Sequence, residues 1–234
     1  MPALHDHPIS KLRPAQHPDR IQLYSFPTPN GIKISAMLEE SGLPYEAHTI
    51  SIRTGDQMTP EFLALNPNNK IPALIDPNGP DGEAVAIFES GAMLLYLAEK
   101  SGKFLPSDPV KKGEVLSWLM WQIGGFGPML GQFGHFNKFA VGKTTDSYAG
   151  DRAKDEAKRL LRVLDAQLEG KDFIAAGEYT IADMAIWPWI RAIEFYEGVE
   201  VLDLASYTNV TRYRDLHSAR PASQLAVNIP PREV

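Results

Sequence analysis

The sequence contains no cysteine among its 234 residues. That absence excludes disulfide staples, thiolate metal sites and every mechanism in which a protein thiol is the nucleophile. If sulfur chemistry takes place here, the thiol arrives with the ligand. Excess positive charge is missing too: 23 Lys and Arg stand against 29 Asp and Glu, a formal net charge of −6. Nucleic acid and anionic membranes both call for clustered Lys and Arg, so neither partner is expected. Long apolar runs are also absent. No stretch approaches the roughly 20 residues that span a bilayer, and residues 1–20 (MPALHDHPISKLRPAQHPDR) lack the apolar centre of a secretory signal. The expectation is a soluble, cytoplasmic protein without a metal.

What is present is enough apolar material, 44% of residues, to fill a globular core in one large or two modest domains. Residues 1–20 are rich in Pro and His and show no helical or strand period, so they read as an extended extension that orders only against a neighbouring surface. His5 and His7 belong to that solvated tail. Ile21 to Phe26 is a short apolar strand, Pro27 to Gly31 (PTPNG) a turn, and IKISAMLEES a helix with Ile32, Ala36 and Glu40 at helical spacing, stopped by Gly42 and Pro44. Tyr45 to Ile52 alternates as a half-buried strand, giving a β-α-β start whose parallel strands need that crossover helix. A short helix follows around Pro60 to Leu65. IPALID, the turn at Pro77 to Gly82 and AVAIF form an antiparallel hairpin. Ser90 to Gly102 is then a helix with Ser90 as candidate N-cap.

The order β-α-β-α-β-β-α is complete by about residue 102. Pro106 to Pro109 punctuate a linker, and everything beyond reads as helix. Within it, Thr180-Ile-Ala-Asp183 fits a capping box that opens a helix carrying Trp187 and Trp189, which makes Asp183 a folding residue.

This order, with its Ile-Pro-led hairpin, resembles the thioredoxin-like domain of glutathione transferases. The stretches FPTPNGIKI, PEFLALNPNNKIPAL, IFESGAMLLYLAEKSG and WQIGGFGPMLGQFGHFN are similar to the Nu class of bacterial disulfide-reducing glutathione transferases, over about Ile21 to Pro221. The resemblance implies the glutathione transferase fold: an α/β thioredoxin-like, glutathione-binding domain over residues 21–104, then an all-α helical domain over 110–226. It also implies a homodimer and glutathione as substrate, up to two molecules per subunit.

The resemblance further assigns residues. Thr28 and Asn30 occupy the turn where the family places its thiol-activating group. A free thiol of pKa ~8.5 is only about 3% thiolate at pH 7. One charge-assisted hydrogen bond of ~1.5–3 kcal/mol moves that by about one to two pKa units. Ile71, ahead of Pro72 at the family's cis-proline position, offers main-chain bonds to the cysteinyl residue. Glu89 takes the γ-glutamyl ammonium, Ser90 and the helix start take its carboxylate, and Lys70 with Gln57 meets the glycine end. Met129, Phe133 and Phe136, on a helix that Pro128 is expected to kink, wall a second-substrate pocket. Arg152, in YAGDR, reaches toward a second glutathione, although Asp151 stands where the family carries Glu. Tyr24 lies inside the first strand and reads as packing.

The function so implied is a glutathione-dependent disulfide-bond reductase acting on a small disulfide. Two rivals stand beside it: a glutathione S-transferase that conjugates glutathione to electrophiles, and a non-catalytic binding protein on the same fold.

Overall fold

The computed structural model describes residues 4–143 and 145–232. The chain forms two compact units: one runs through Lys103 and includes the segment from Pro221 onward, and the other is Phe104–Arg220. In the first unit the order is α1 (Ile9–Leu12), β1 (Ile21–Ser25), α2 (Pro29–Ser41), β2 (Tyr45–Thr49), α3 (Pro60–Leu63), β3 (Ala73–Asp76), β4 (Val85–Phe88) and α4 (Ser90–Ser101). The second holds α5 (Pro109–Trp121), α6 (Gly127–Gly134), α7 (Tyr148–Gln167), α8 (Ile181–Phe195) and α9 (Thr208–Ser218), after which α10 (Pro221–Ala226) returns to the first. The helical unit thus ends before Pro221 rather than at residue 226.

The sheet has the order β2-β1-β3-β4, with β1 parallel to β2 across α2 and β3 antiparallel to both β1 and β4. β1 is buried along its whole length, and Tyr24 is fully enclosed and stacked on His48 at 4.7 Å. β2 does not alternate as expected; its first three residues are half-buried and His48 and Thr49 are buried. The helix after β1 starts earlier than the sequence suggests. Pro29 to Gly31 are helical rather than turn, because Thr28 caps the helix and proline at the first helical position forfeits no hydrogen bond. Gly42, at φ 73, closes it. α2 packs against both α4 and α10, so even its Lys33 and Ser35 are buried. Gly31 lets its first turn lie on the exit of β1: a Cβ there would collide with the Phe26 carbonyl oxygen and stand 2.6 Å from Ser25 Oγ.

Residues 4–20 are not an extended arm. Leu4 and Ile9 enter the same buried cluster as Tyr24, Ile50, Phe62, Leu65 and Ile75. Arg13 Nε donates to the Thr49 carbonyl at 2.7 Å and its guanidinium pairs with Asp56 at 2.8 Å. The Gln16 and His17 amides donate to the Glu46 carboxylate. A four-residue helix is too short to show a period, which is why the sequence conceals it. His5 is exposed as expected, but His7 is buried and accepts from the Ile9 amide.

In the helical unit, five-residue π-helical turns at Gln122–Phe126 and His135–Phe139 flank α6, and Pro128 falls in the first turn of α6. The capping box forms as expected. Asp183 Oδ2 accepts from the Thr180 amide (2.8 Å) and hydroxyl (3.1 Å), and Oδ1 from the Ile174 amide (2.8 Å) and the Tyr213 hydroxyl (2.9 Å). Burial pushes the Asp183 carboxyl up to about 6 while these donors pull it down. Among the described residues, no helix is long and apolar enough to cross a membrane.

Two substitutions test this packing. Asp183→Ala strands the buried donors of Ile174, Thr180 and Tyr213, at about 1–3 kcal/mol for each unsatisfied group, and chemical denaturation is expected to register a loss of at least ~3 kcal/mol. Gly31→Ala forces α2 off β1 and is expected to lose ~1–3 kcal/mol by overpacking.

Candidate functional site

Strand register gathers the candidate residues of the first unit at one end of the sheet. Tyr24 of β1 faces Ala73 of β3, which faces Phe88 of β4, while Ser25 faces Thr49 of β2. Continuing past these pairs leads to Thr28 after β1, the loop holding Gln57 after β2, Ile71 and Pro72 before β3, and Glu89 and Ser90 after β4. Residues that are distant in sequence are therefore placed side by side by the pairing alone.

Thr28 is half-buried, and its Oγ1 accepts from the Gly31 amide at 3.4 Å. A hydroxyl that accepts through a lone pair keeps its proton to donate elsewhere. Asn30 is half-buried in the first turn of α2, where helix amides gather partial positive charge. Ile71–Pro72 is a cis peptide, as the resemblance implies, with Pro72 buried and Ile71 partly so. Gln57 is half-buried, and its Oε1 is shielded from solvent without a hydrogen-bond partner among the described residues. Lys70 is exposed, and its carbonyl is held by Asn66 Nδ2 at 2.6 Å.

The turn from β4 into α4 differs in one respect from the expected cap. Glu89, not Ser90, holds the N-cap position, at φ 70 and ψ 115 and with no side-chain cap bond. That is a backbone region non-glycine residues avoid and retain at functional turns. It leaves Glu89 exposed and Ser90 buried. Behind Ser90 lies a residue the sequence reading passed over. Lys33 is 1% exposed, and its Nζ donates to Ser90 Oγ at 3.3 Å. Burial pushes the Lys33 ammonium down to about 7, against the upward pull of the Glu89 carboxylate. A cation inside the apolar run IKISAM was the signal available for it.

Asn66 and Asn68 were also missed. Asn66 is buried, and its Oδ1 accepts from the Asn68 amide at 2.9 Å. Asn68 Nδ2 reaches Glu89 Oε1 at 3.4 Å. The asparagine-rich loop thereby links the stretch before β3 to the turn after β4.

In the helical unit, Met129, Phe136 and Arg152 line one cavity of about 760 Å³, together with Tyr148, Arg159 and Arg162. Phe133 does not join it. Phe133 is 2% exposed, packs against Gly198 and borders a second cavity of about 410 Å³, which Phe136 shares. Asp151 pairs with Lys154 at 2.7 Å, which holds its carboxyl below the usual range. Among the described residues there is no cluster of three or more His, Asp or Glu side chains suited to a metal ion.

Comparison with known proteins places this geometry. The sequence profile of the glutathione S-transferase N-terminal domain matches residues 28–100, and that of the glutathione S-transferase C-terminal domain matches residues 147–216. The chain is 45% identical over 208 residues to the disulfide-bond oxidoreductase YfcG of Escherichia coli, covering 88% of this chain and 94% of that one. A glutathione transferase from Burkholderia graminis, with two glutathione molecules bound per subunit, superposes with a TM-score of 0.96 at 52% identity, covering 98% of this chain and 96% of the other. One from Pseudomonas putida, with one glutathione disulfide bound per subunit, gives 0.95 at 50% identity, covering 97% and 99%. Sheet topology, both domain profiles and whole-length similarity agree, and the chain belongs to the glutathione S-transferase family.

Proposed function

We propose that the protein is a glutathione-dependent disulfide-bond reductase that works with the thiolate of bound glutathione in place of a protein cysteine. What carries the reading is a cysteine-free chain, 45% identical to a disulfide-bond oxidoreductase, whose Thr28 hydroxyl retains a proton at the end of the sheet where Ile71 and Ser90 also lie.

In this reading Ile71, set by Pro72, binds the cysteinyl main chain. Ser90 and the first amides of α4 take the γ-glutamyl carboxylate and Glu89 its ammonium. Lys70 meets the glycine carboxylate, and Gln57 makes a further polar contact at the glycine end. The sulfur then rests at Thr28 and Asn30, whose donors favour the anion over the thiol. The thiolate attacks one sulfur of the disulfide, forming a glutathione mixed disulfide and releasing the first product thiolate. A second glutathione thiolate attacks the glutathione sulfur of that intermediate, giving glutathione disulfide and the second thiolate. Two glutathiones are oxidised, one disulfide is reduced, and protons from solvent neutralise the products. The bound states of the two similar structures, two glutathiones and one glutathione disulfide, correspond to the start and end of this cycle.

Arg152 is assigned to the second glutathione, and Met129 and Phe136 to the wall of the second-substrate pocket, Phe133 being set aside because it does not line that cavity. The dependence on a reduced glutathione pool argues for a cytoplasmic enzyme. A homodimer is part of the proposal, and sedimentation equilibrium is expected to return twice the chain mass.

The Thr28→Ala/Asn30→Ala variant tests the catalytic assignment. Losing the donors returns the bound thiol toward ~8.5, so kcat/KM for a small dialkyl disulfide is expected to fall about 10- to 100-fold at neutral pH. The deficit should shrink as pH rises through ~8.5, where the thiol ionises unaided. Undiminished turnover at neutral pH would remove both residues from the mechanism. Assaying an aryl halide electrophile on the same preparation separates the rival reading, which predicts conjugation faster than disulfide reduction.

A further inference from the structure

The segment that precedes β1 is docked by more contacts than docking needs. Leu4 and Ile9 are buried with Ile50, Phe62 and Leu65, Leu12 and Ala15 pack against that cluster, and the Gln16 and His17 amides are taken by the Glu46 carboxylate. Arg13 stands among these residues and reaches elsewhere. Its Nε donates to the Thr49 carbonyl at 2.7 Å and its Nη2 to Asp56 Oδ2 at 2.8 Å. Thr49 is the last residue of β2, and Asp56 opens the single helical turn Asp56–Met58, whose middle residue is Gln57. One guanidinium thus ties the exit of β2 to the far end of the loop that presents Gln57.

The loop is shaped by bonds of its own. Asp56 Oδ2 also accepts from the Ser51 amide at 3.1 Å and Oδ1 from the Thr54 hydroxyl at 2.9 Å, while the Ser51 carbonyl accepts from the amides of Gly55 and Asp56. Those bonds lie within residues 51–56 and set the conformation of the loop. The Arg13 bonds fix that conformation to the strand and to the docked segment. An arginine suits the task, since its planar fork serves a carbonyl and a carboxylate at once, which the point charge of a lysine does not. The pair belongs to a partly buried network rather than to an isolated surface contact, the kind of ion pair whose geometry counts.

We propose that Arg13 is a positioning residue for the glycine end of glutathione: through Thr49 and Asp56 it holds the loop so that Gln57 stands within hydrogen-bond reach of that end. The inference rests on the glutathione reading above. Arg13 touches no ligand atom in it, and no bond is made or broken. A short side chain tolerates little displacement of the backbone that carries it, so losing the tie is felt as lost affinity at one end of the tripeptide.

γ-Glutamylcysteine, the same thiol without the glycine, separates this role from a general one. Calorimetry at neutral pH is expected to show the wild-type chain binding glutathione more tightly than γ-glutamylcysteine. Arg13→Gln is expected to weaken glutathione by about 3- to 10-fold and γ-glutamylcysteine by less than about twofold. KM for glutathione in disulfide reduction should rise with Kd, while kcat at saturating glutathione changes less. Arg13→Lys should fall between wild type and Arg13→Gln. Asp56→Asn should weaken glutathione as Arg13→Gln does, and the double variant no further than either, because both break one tie. A folded Arg13→Gln with unchanged affinity for glutathione, or one that loses both ligands to the same degree, overturns the inference and leaves the glutathione reading standing. Failure of both Arg13 variants to fold, as judged by circular dichroism, overturns it as well, since the residue would then serve the fold. Equal wild-type affinity for the two ligands removes the glycine-end contact and the inference with it. A wild-type chain that binds neither ligand overturns the glutathione reading itself.

Discussion

The pairing of β1, β3 and β4 is the constraint on which the site depends. Tyr24 opposite Ala73, and Ala73 opposite Phe88, bring the exits of two strands and the entry of a third to one edge. β1 and β3 are buried throughout, so a slip of one residue would exchange side chains between two packed faces and misfit both. Once the register is set, Thr28, Ile71 and Ser90 have little freedom to lie elsewhere. Gly31 completes the arrangement by allowing the first turn of α2 to rest directly on the end of β1.

Buried polar groups then hold the loops that the register has gathered. Asn66 fastens the stretch before β3 through the Lys70 carbonyl and the Asn68 amide, and Asn68 extends the link to Glu89. On the other side of the same turn, Lys33 holds Ser90. The helical unit uses the same device at Asp183, whose carboxylate ties the loop at Ile174, the start of α8 and Tyr213 of α9. Such groups contribute through geometry more than through net stability: satisfied, they specify one arrangement, and with one partner removed they cost the full desolvation of the other.

A chain without cysteine that belongs to this family must do its chemistry on sulfur it does not own. In the proposed function, the protein's contribution reduces to placing a thiol beside hydrogen-bond donors and helix amides that prefer the anion. A threonine that caps a helix is well suited, because capping engages its oxygen and leaves its proton. That economy is why, in the proposed function, a turn as ordinary in composition as PTPNG can carry the reacting centre.

The β-α-β opening, the hairpin led by Ile71-Pro72, the helices after residue 104 and the Thr180–Asp183 box were all legible, since each is written in local period, turn chemistry or capping residues. So was the absent thiol. Several features were not. The segment 4–20 had no period to read because its helix is four residues long and its burial depends on Phe62 and Ile75, distant in sequence. α10 looked like one more helix of the second unit, yet packs on α2. Ser90 read as a cap, but the backbone turns one residue earlier, at Glu89. Phe133 and Phe136 looked equivalent at helical spacing, while only Phe136 shares a cavity with Arg152. By itself, the sequence determined which chemistry was available and which local elements form, because these depend on residue type and near neighbours. Only the tertiary structure decided that Lys33 stands behind Ser90, because that contact joins residues 57 positions apart in sequence through burial, which no local pattern records.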